Sequence, residues 1–327
     1  MKKTTKPFSR DILMIDDIEE KVDQILSKLR SDVRVRLERN GGVVGISGGI
    51  DSSVTLALTS KALGPENVLG IMLPEKDSNP DSLRLAAELA DTFGVRTIVE
   101  NITGALEGFG CYRRRDEAVK NVFPEYNPAF HKVKIGIRQS SLKVNLPPVF
   151  SVTIQDPDGK EKSRLLPVKE YLQIVASSNF KQRSRMAMLY HHAERLYYAV
   201  IGTPNKHEVE QGFFVKYGDG GADVMPIGHL YKTQVYQVAR HLGVPQAIID
   251  RTPTTDTYSA EQTQEEFFYQ LPFEMMDLLW FAWENGYEPA EVANVLSLTE
   301  TEIRNVFTNF ERKRKTTRYL RMPPIFD

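Results

Sequence analysis

The stretch Val43-Val44-Gly45-Ile46-Ser47-Gly48-Gly49-Ile50-Asp51-Ser52-Ser53-Val54 decides the fold. A short apolar run enters a turn of small residues, and helical character follows from Val54 to Leu63, so the order is strand, loop, helix. Such a turn aims several backbone N–H groups, and the positive end of the helix dipole, at one point, which suits phosphate. It lacks the Gly-Lys-Ser/Thr ending of a Walker loop and the spacing of a dinucleotide fingerprint, so neither of those common phosphate loops describes it.

Working outward, Val68 to Leu73 reads as a second buried strand, Asp81 to Phe93 as a helix and Arg96 to Ile102 as a third strand. Upstream, Ile18, Val22, Ile25, Leu26, Leu29, Val33 and Leu37 recur at steps of three and four. They predict an amphipathic helix over about residues 12–39, ended by Asn40-Gly41-Gly42. Strands alternating with helices of this length predict a parallel, doubly wound α/β sheet of Rossmann-like character.

Downstream the pattern breaks. Over about residues 121–170, turn signals at Pro124, Pro128, Pro147-Pro148 and Asp156-Pro157-Asp158-Gly159 accompany the apolar runs Phe150 to Ile154 and Ser163 to Leu166, predicting an inserted β-hairpin. The α/β pattern resumes with a helix from Lys181 to Tyr197, a strand over Leu196 to Ile201 and a helix over Thr233 to Leu242. A Pro- and Thr-rich loop from Arg251 to Thr257 leads to three short helical patterns ending at Phe310, inside a C-terminal helical segment of about residues 260–327. All of it reads as a single domain over residues 1–327.

Composition narrows the chemistry. The 327 residues include 42 Lys and Arg against 43 Asp and Glu, a formal net charge of −1, with 41% hydrophobic residues. That balance argues against holding DNA or RNA through a global field. No run approaches the roughly 18 to 20 apolar residues of a membrane span, and Met1 to Asp17 lacks the apolar core of a signal peptide. A cytoplasmic setting is expected, with neither nucleic acid nor membrane as partner. The lone cysteine, Cys111, excludes an internal disulfide, a Cys-X-X-Cys pair and a Cys-rich zinc site. The six histidines, His131, His191, His192, His207, His229 and His241, show no zinc-like spacing except the adjacent pair, which points to different helix faces, so none is assigned as a ligand.

Ser47-Gly48-Gly49-Ile50-Asp51-Ser52 resembles the pyrophosphate loop of adenylating ATP-pyrophosphatases, in which ATP is cleaved between its α- and β-phosphates. Further on come Gly202-Thr203-Pro204-Asn205-Lys206-His207-Glu208, Lys216-Tyr217-Gly218-Asp219-Gly220-Gly221-Ala222-Asp223, Pro226-Ile227-Gly228-His229-Leu230-Tyr231-Lys232 and Pro253-Thr254-Thr255-Asp256. Over Ile18 to Leu73 and Asn179 to Asp256 the chain is similar to the NAD+ synthetase family. The resemblance implies that Gly45, Ile46, Ser47, Gly48, Gly49, Ile50, Asp51 and Ser52 cradle ATP as co-substrate, with Thr203, Lys232 and Thr254 in contact with it. It implies Mg2+ on Asp51 and Glu208, a sensible place because a carboxylate beside triphosphate calls for a cation between them. It assigns Arg183, Lys216 and Asp223 to the dinucleotide substrate and Asp219 to the ordering of the same loop.

Two features depart from the family. The segment between the third strand and Asn179 runs to roughly 75 residues, a length that points to a functional or interfacial role. A C-terminal His-Lys contact with substrate is replaced by Arg318-Tyr319, where Arg can meet a phosphate and Tyr can stack on a base.

The implied reaction has two steps. The nicotinate carboxylate of deamido-NAD+ attacks the α-phosphorus of ATP, giving an acyl-adenylate and pyrophosphate, and ammonia then displaces AMP to leave NAD+. Catalysis should be mostly positioning and charge neutralisation, with Asp51, Lys232, Asp219 and Asp223 as the candidate catalytic residues. Either Asp219 or Asp223 is placed to take the ammonium proton. Cys111, followed by Tyr112-Arg113-Arg114-Arg115, has no glutaminase context, so the nitrogen is expected as free ammonia or as ammonia delivered by a separate protein. The family implies a homodimer with substrate near the interface.

Two alternatives stay open. One is an NAD+ synthetase-like amide synthetase that adenylates a different carboxylic acid. The other is a DNA-binding regulator, because Glu288 to Phe307 has helix-turn-helix spacing ahead of the basic Arg312 to Lys315. Against it, the would-be recognition helix offers Glu300 and Glu302 with only Arg304. Met275-Met276, Trp280-Phe281 and Trp283 read as a packed helix face or a dimer contact.

Overall fold

A computed structural model describes residues 6–137, 149–254, 258–260, 262–264 and 268–326. Along the chain, α1 (Ile18–Ser31) precedes β1 (Gly42–Gly45), α2 (Ile50–Leu63), β2 (Val68–Met72), α3 (Pro80–Phe93) and β3 (Arg96–Val99). There follow α4 (Thr103–Gly108), α5 (Cys111–Val122) and the strands β4 (Lys132–Ile137), β5 (Phe150–Gln155) and β6 (Glu161–Leu165). The long helix α6 (Val168–Leu196) leads to β7 (Ala199–Ile201), α7 (Lys206–Gln211), α8 (Lys232–Leu242) and α9 (Gln246–Ile249). The chain closes with α10 (Phe273–Asn285), α11 (Pro289–Leu296) and α12 (Glu300–Thr316).

The expected parallel sheet is present, with strand order β3-β2-β1-β7 and every pairing parallel. Because successive strand residues face opposite sides, adjacent valines part company: Val44 packs toward α1, α2 and α8, whereas Val43 packs toward α5 and α6. Helices on both faces explain why strand residues such as Leu69 and Ile71 are fully buried without a polar side.

Several boundaries differ from the sequence expectation, each for a local reason. The first helix begins only at Ile18, where the Asp17 side chain accepts the Glu20 N–H (2.9 Å), and it passes into a π-helical turn at Asp32–Arg36. The helix expected from Lys181 starts at Val168, directly after Pro167 at its N-cap. It stops at Leu196 because Tyr197 turns left-handed (φ 57°), so the next strand starts at Ala199 rather than Leu196.

The inserted hairpin is β5-β6, its turn held by Asp156, which accepts the Lys160 N–H (2.8 Å), and by Gly159 at φ 81°. A third antiparallel strand, β4, extends it and buries Val133 and Ile135 against Val152 and Ile154. The other edge of β4 holds the C-terminal part of the chain: the Val133 carbonyl accepts the Ala260 N–H (3.1 Å) and the Val133 N–H donates to Ser259 Oγ (2.9 Å). Pro147-Pro148 and Thr255-Thr257, including Asp256, lie outside the described residues.

The aromatic run of α10 is a packed face. Trp280 is fully buried against Trp283 and Phe310, with ring centroids 4.9 and 4.8 Å away. Val292, Leu296, Ile303 and Val306 join the same cluster, so the helix-turn-helix spacing serves to close an apolar core.

Candidate active site

β1 and β7 are neighbours, yet α2 leaves β1 on one face of the sheet and α6 reaches β7 from the other. The chain therefore parts at their C-terminal ends, which is where open α/β sheets bind ligands. A cleft of about 960 Å³ opens there, with Ser47, Gly49 and Asp51 on one side and Gly202 and Thr203 on the other.

The glycine-rich turn is held open by its own small side chains. Gly49 N–H donates to Ser47 Oγ (3.3 Å) and Ser52 Oγ donates to the Gly49 carbonyl (3.0 Å). Gly49 is the N-cap of α2 and brings no side chain to the first-turn N–H groups, which leaves them to an anion. Gly48 sits at φ +70° and a Cβ there would lie 2.8 Å from the Ser82 carbonyl, so only glycine fits. Arg251 clasps both parts, donating to the Gly48 carbonyl (3.3 Å) and to Ser82 Oγ (3.1 Å).

Asp51, in the first turn of α2, meets residues from two distant helices. Lys232, fully buried at the start of α8, donates to Asp51 Oδ2, and Asn205 Nδ2 donates to Asp51 Oδ1 (3.2 Å). Asn205 also forms a capping box with Glu208, whose carboxylate accepts the Asn205 N–H (2.8 Å). Burial, reinforced by the nearby Asp51 carboxylate, pushes the Glu208 carboxyl up to about 8 against the opposing pull of Lys232. Burial works against the Lys232 charge too, but Asp51 and Glu208 hold its pKa above the ordinary lysine value. Asp51 and Glu208 offer carboxylate oxygens, the ligand type a hard divalent cation takes, while Lys232 pairs with Asp51. Among the described residues no group of three or more His, Cys, Asp or Glu side chains is arranged for a metal, so such a cation would take the rest of its oxygens from elsewhere.

Thr203 and Thr254 both line the cleft, as do Arg183 and Lys216. Arg183 Nε donates to the Lys216 carbonyl (3.2 Å). The Lys216 ammonium donates to the carbonyls of Tyr319 (3.1 Å) and Met322 (2.9 Å), which latches the C-terminal turn across the cleft mouth. Tyr319 lines the cleft with 63% of its surface still exposed, whereas Arg318 is exposed and outside the lining.

The two acids named for proton transfer separate. Asp219 lines the cleft, accepts the Val215 N–H (2.8 Å) and is pushed up to about 6 by burial. Asp223 accepts the Val200 N–H (2.8 Å), lies 2.8 Å from the Tyr190 hydroxyl and lines a second cavity of about 730 Å³ with Lys28 and His229.

The sequence reading missed one charged group on the cleft wall. Lys181 of α6 donates to Glu75 (2.8 Å) and to Asp77 (2.8 Å), and Asp77 also receives Arg115 from α5 (2.5 Å). Tyr112 donates to the second Glu75 oxygen (2.6 Å). Burial opposes ionisation of Asp77, but Lys181 and Arg115 hold its carboxyl below the usual carboxylate range. Glu75 and Asp77 follow the C-terminal end of β2, a place where such sheets carry functional residues, and that position was the available signal. Arg251 was signalled only as the start of a Pro- and Thr-rich loop. Cys111 is a packed thiol: it is buried, donates to the Ser177 carbonyl (3.2 Å) and has its pKa pushed up by burial.

The sequence matches the family described as NAD synthase over residues 21–125 and 140–323. The NH(3)-dependent NAD(+) synthetase of Rhizobium meliloti (strain 1021) is 48% identical over 317 residues, which are 97% of this chain and 94% of that protein. The protein of the same description from Methanocaldococcus jannaschii is 31% identical over 291 residues, 88% of this chain and 92% of that one. Among solved structures, the NMN synthetase from Francisella tularensis has the same fold, with a TM-score of 0.64 at 20% identity over 96% of this chain and 99% of that chain. The NH3-dependent NAD synthetase from Campylobacter jejuni gives a TM-score of 0.62 at 20% identity, covering 96% of this chain and 100% of that chain. A glycine-rich turn at the sheet's switch point, a Lys232–Asp51 pair with Glu208 nearby, and a match over nearly the whole sequence agree: the chain belongs to the NAD synthase family.

Proposed function

We propose that the protein is an ammonia-dependent NAD+ synthetase, a ligase that adenylates the nicotinate carboxylate of deamido-NAD+ and replaces AMP with ammonia. The observation that carries this is the convergence of Asp51, Lys232 and Glu208 on the uncapped N-terminus of α2. In this reading the loop Gly45 to Ser52 holds the phosphates of ATP, Thr203 and Thr254 contact the nucleotide, and Lys232 offsets the charge of the leaving pyrophosphate. Asp51 and Glu208 would hold Mg2+, which when bound neutralises the triphosphate. Arg183, Lys216 and Tyr319 stand at the cleft mouth for the dinucleotide. Asp219 is the better placed of the two acids to accept the ammonium proton, because it alone reaches the cleft and its carboxyl, at about 6, is nearer the working range of a general base.

Asp223 and Arg318 do not line this cleft within one protomer. They would reach the dinucleotide across a subunit boundary, and a homodimer of single-domain chains in the cytoplasm is part of the reading. The nitrogen arrives as ammonia, free or released by another protein.

One observation favours a second reading: Tyr319 lines the cleft where the family resemblance implies a His-Lys contact with substrate. An amide synthetase acting on a different carboxylic acid would use the same ATP side. Incubation with ATP, Mg2+, ammonia and deamido-NAD+, with AMP and NAD+ measured, separates the two. Equal yields of AMP and NAD+ are expected. AMP formed only with another acid moves the assignment to the second reading.

A further inference from the structure

Behind the Asp51–Lys232 pair runs a line of buried hydrogen bonds that the proposed chemistry does not touch. It starts in α12, where the Lys313 amine donates to the Phe268 carbonyl (3.0 Å) and to Gln211 Oε1 (3.4 Å). Gln211 Nε2 lies 3.1 Å from His207 Nδ1, and His207 Nε2 lies 2.5 Å from Asp277 Oδ1. Asp277, on α10, also accepts the backbone N–H of Lys232 at Oδ1 (3.3 Å) and of Thr233 at Oδ2 (2.7 Å). His207, Gln211 and Asp277 are fully buried.

The bonds in this line fit one consistent set of directions. Burial draws the Lys313 amine down to about 7, but both of its partners are carbonyl oxygens, so it donates whether or not it is charged. Gln211 therefore turns its carbonyl to Lys313 and its amide N–H to His207. With Gln211 turned this way, His207 Nδ1 accepts its amide N–H and Nε2 is the nitrogen that donates to Asp277.

Asp277 thus does two things from outside the helices it serves. It caps the first two N–H groups of α8, which fixes the backbone from which Lys232 reaches Asp51. Through His207 it fixes α7 at the residue preceding Glu208. We propose that Asp277 and His207 are a positioning pair that sets the spacing between the Glu208 carboxylate and the Lys232 ammonium. Neither touches substrate. The inference rests on the adenylation reading for its effect on turnover, though not for its geometry.

Asp277→Asn keeps the shape but adds an N–H group that must face a donor, either the Thr233 N–H or His207 Nε2–H. His207→Gln keeps a donor toward Asp277, and His207→Leu removes it. With stability measured alongside, kcat per folded enzyme should fall about 10- to 100-fold in Asp277→Asn and His207→Leu. The KM for ammonia should stay unchanged and His207→Gln should recover to within about threefold of the wild type. A purely structural role predicts lower stability with wild-type kcat, and that result overturns the proposal. In 15N spectra of histidine-labelled wild type, the resonance lost in His207→Gln should carry its proton on Nε2; an Nδ1–H tautomer there overturns it as well. If the wild type releases no AMP from deamido-NAD+, the adenylation reading fails. The tautomer, and ATP affinity by calorimetry in Asp277→Asn, then decide the positioning role: affinity equal to wild type counts against it, and a loss of about tenfold supports it.

Discussion

Lys232 and Asp51 stand 181 positions apart in sequence and meet as an ion pair between the first turns of α8 and α2, the lysine fully buried. Their contact ties the glycine-rich turn to α8, which packs beside α2 on the same face of the sheet. Lys232→Ala would leave the Asp51 and Glu208 carboxylates with the Asn205 hydrogen bonds but without the lysine charge, and Asp51→Ala would take its ion-pair partner from a buried ammonium. AMP release should fall by about 100- to 1000-fold in either variant. A rate within threefold of the wild type would remove the pair from the mechanism.

Gly48→Ala tests the cradle without removing a functional group. The new methyl would press on the Ser82 carbonyl at a backbone angle that L-residues avoid. The loop must shift, and with it the Arg251 clasp. A loss of roughly 1–3 kcal/mol in urea unfolding is expected, with weaker ATP binding by calorimetry. Unchanged affinity would show that the loop's shape is not what ATP reads.

Asp219 gives a dependence on pH with a definite sign. Its folded pKa of about 6 lies above the ordinary 3.8, so between those values the folded protein holds a proton that the unfolded chain has released. Its contribution to stability is present at low pH and is lost as the pH rises from about 4 through about 6. Asp219→Asn can still accept the Val215 N–H but has no charge to bury. Urea midpoints should therefore shift in favour of the variant between pH 4 and pH 7, while its turnover with ammonia drops. Parallel stability curves would contradict the assignment.

Cys111→Ala addresses the nitrogen source. The thiol is buried, donates to a helix carbonyl and has a raised pKa, which are the marks of a packing group. Turnover with ammonia should be within about twofold of the wild type, at a stability cost of about 1 kcal/mol. A variant dead with ammonia would give Cys111 a role that its surroundings do not suggest.

What could be read from the sequence depended on how local the constraint was. The turn from Gly45 to Ser52 was legible because its strand, its glycines and its helix are contiguous. Thr203, Glu208 and Lys232 came from resemblance, since no local pattern brings α7 and α8 to α2. β4 was missed although Val133 and Ile135 alternate with lysines, a short signal blurred by Gly136. Pro167, the N-cap of α6, ends a turn-rich segment in the sequence and so masks the early start of that helix. Glu75, Asp77, Lys181 and Arg115 lie on three separate elements, and a lone charge in a sequence reads as solvated surface until the fold pairs it. Asp223 shows the converse: loop spacing places it beside Asp219 but does not say which way it turns.

The bonds between Val133 and the segment at Ser259-Ala260 bear on how this protein can be shortened. The stretch carrying Thr254 is tethered at one end, through Arg251, to the glycine-rich turn and at the other to the inserted sheet. An insertion attached in this way is not a detachable module. Its excision would leave one side of the cleft without a mooring, so a minimal form of the protein needs a substitute for β4, and a shorter linker alone would not provide one.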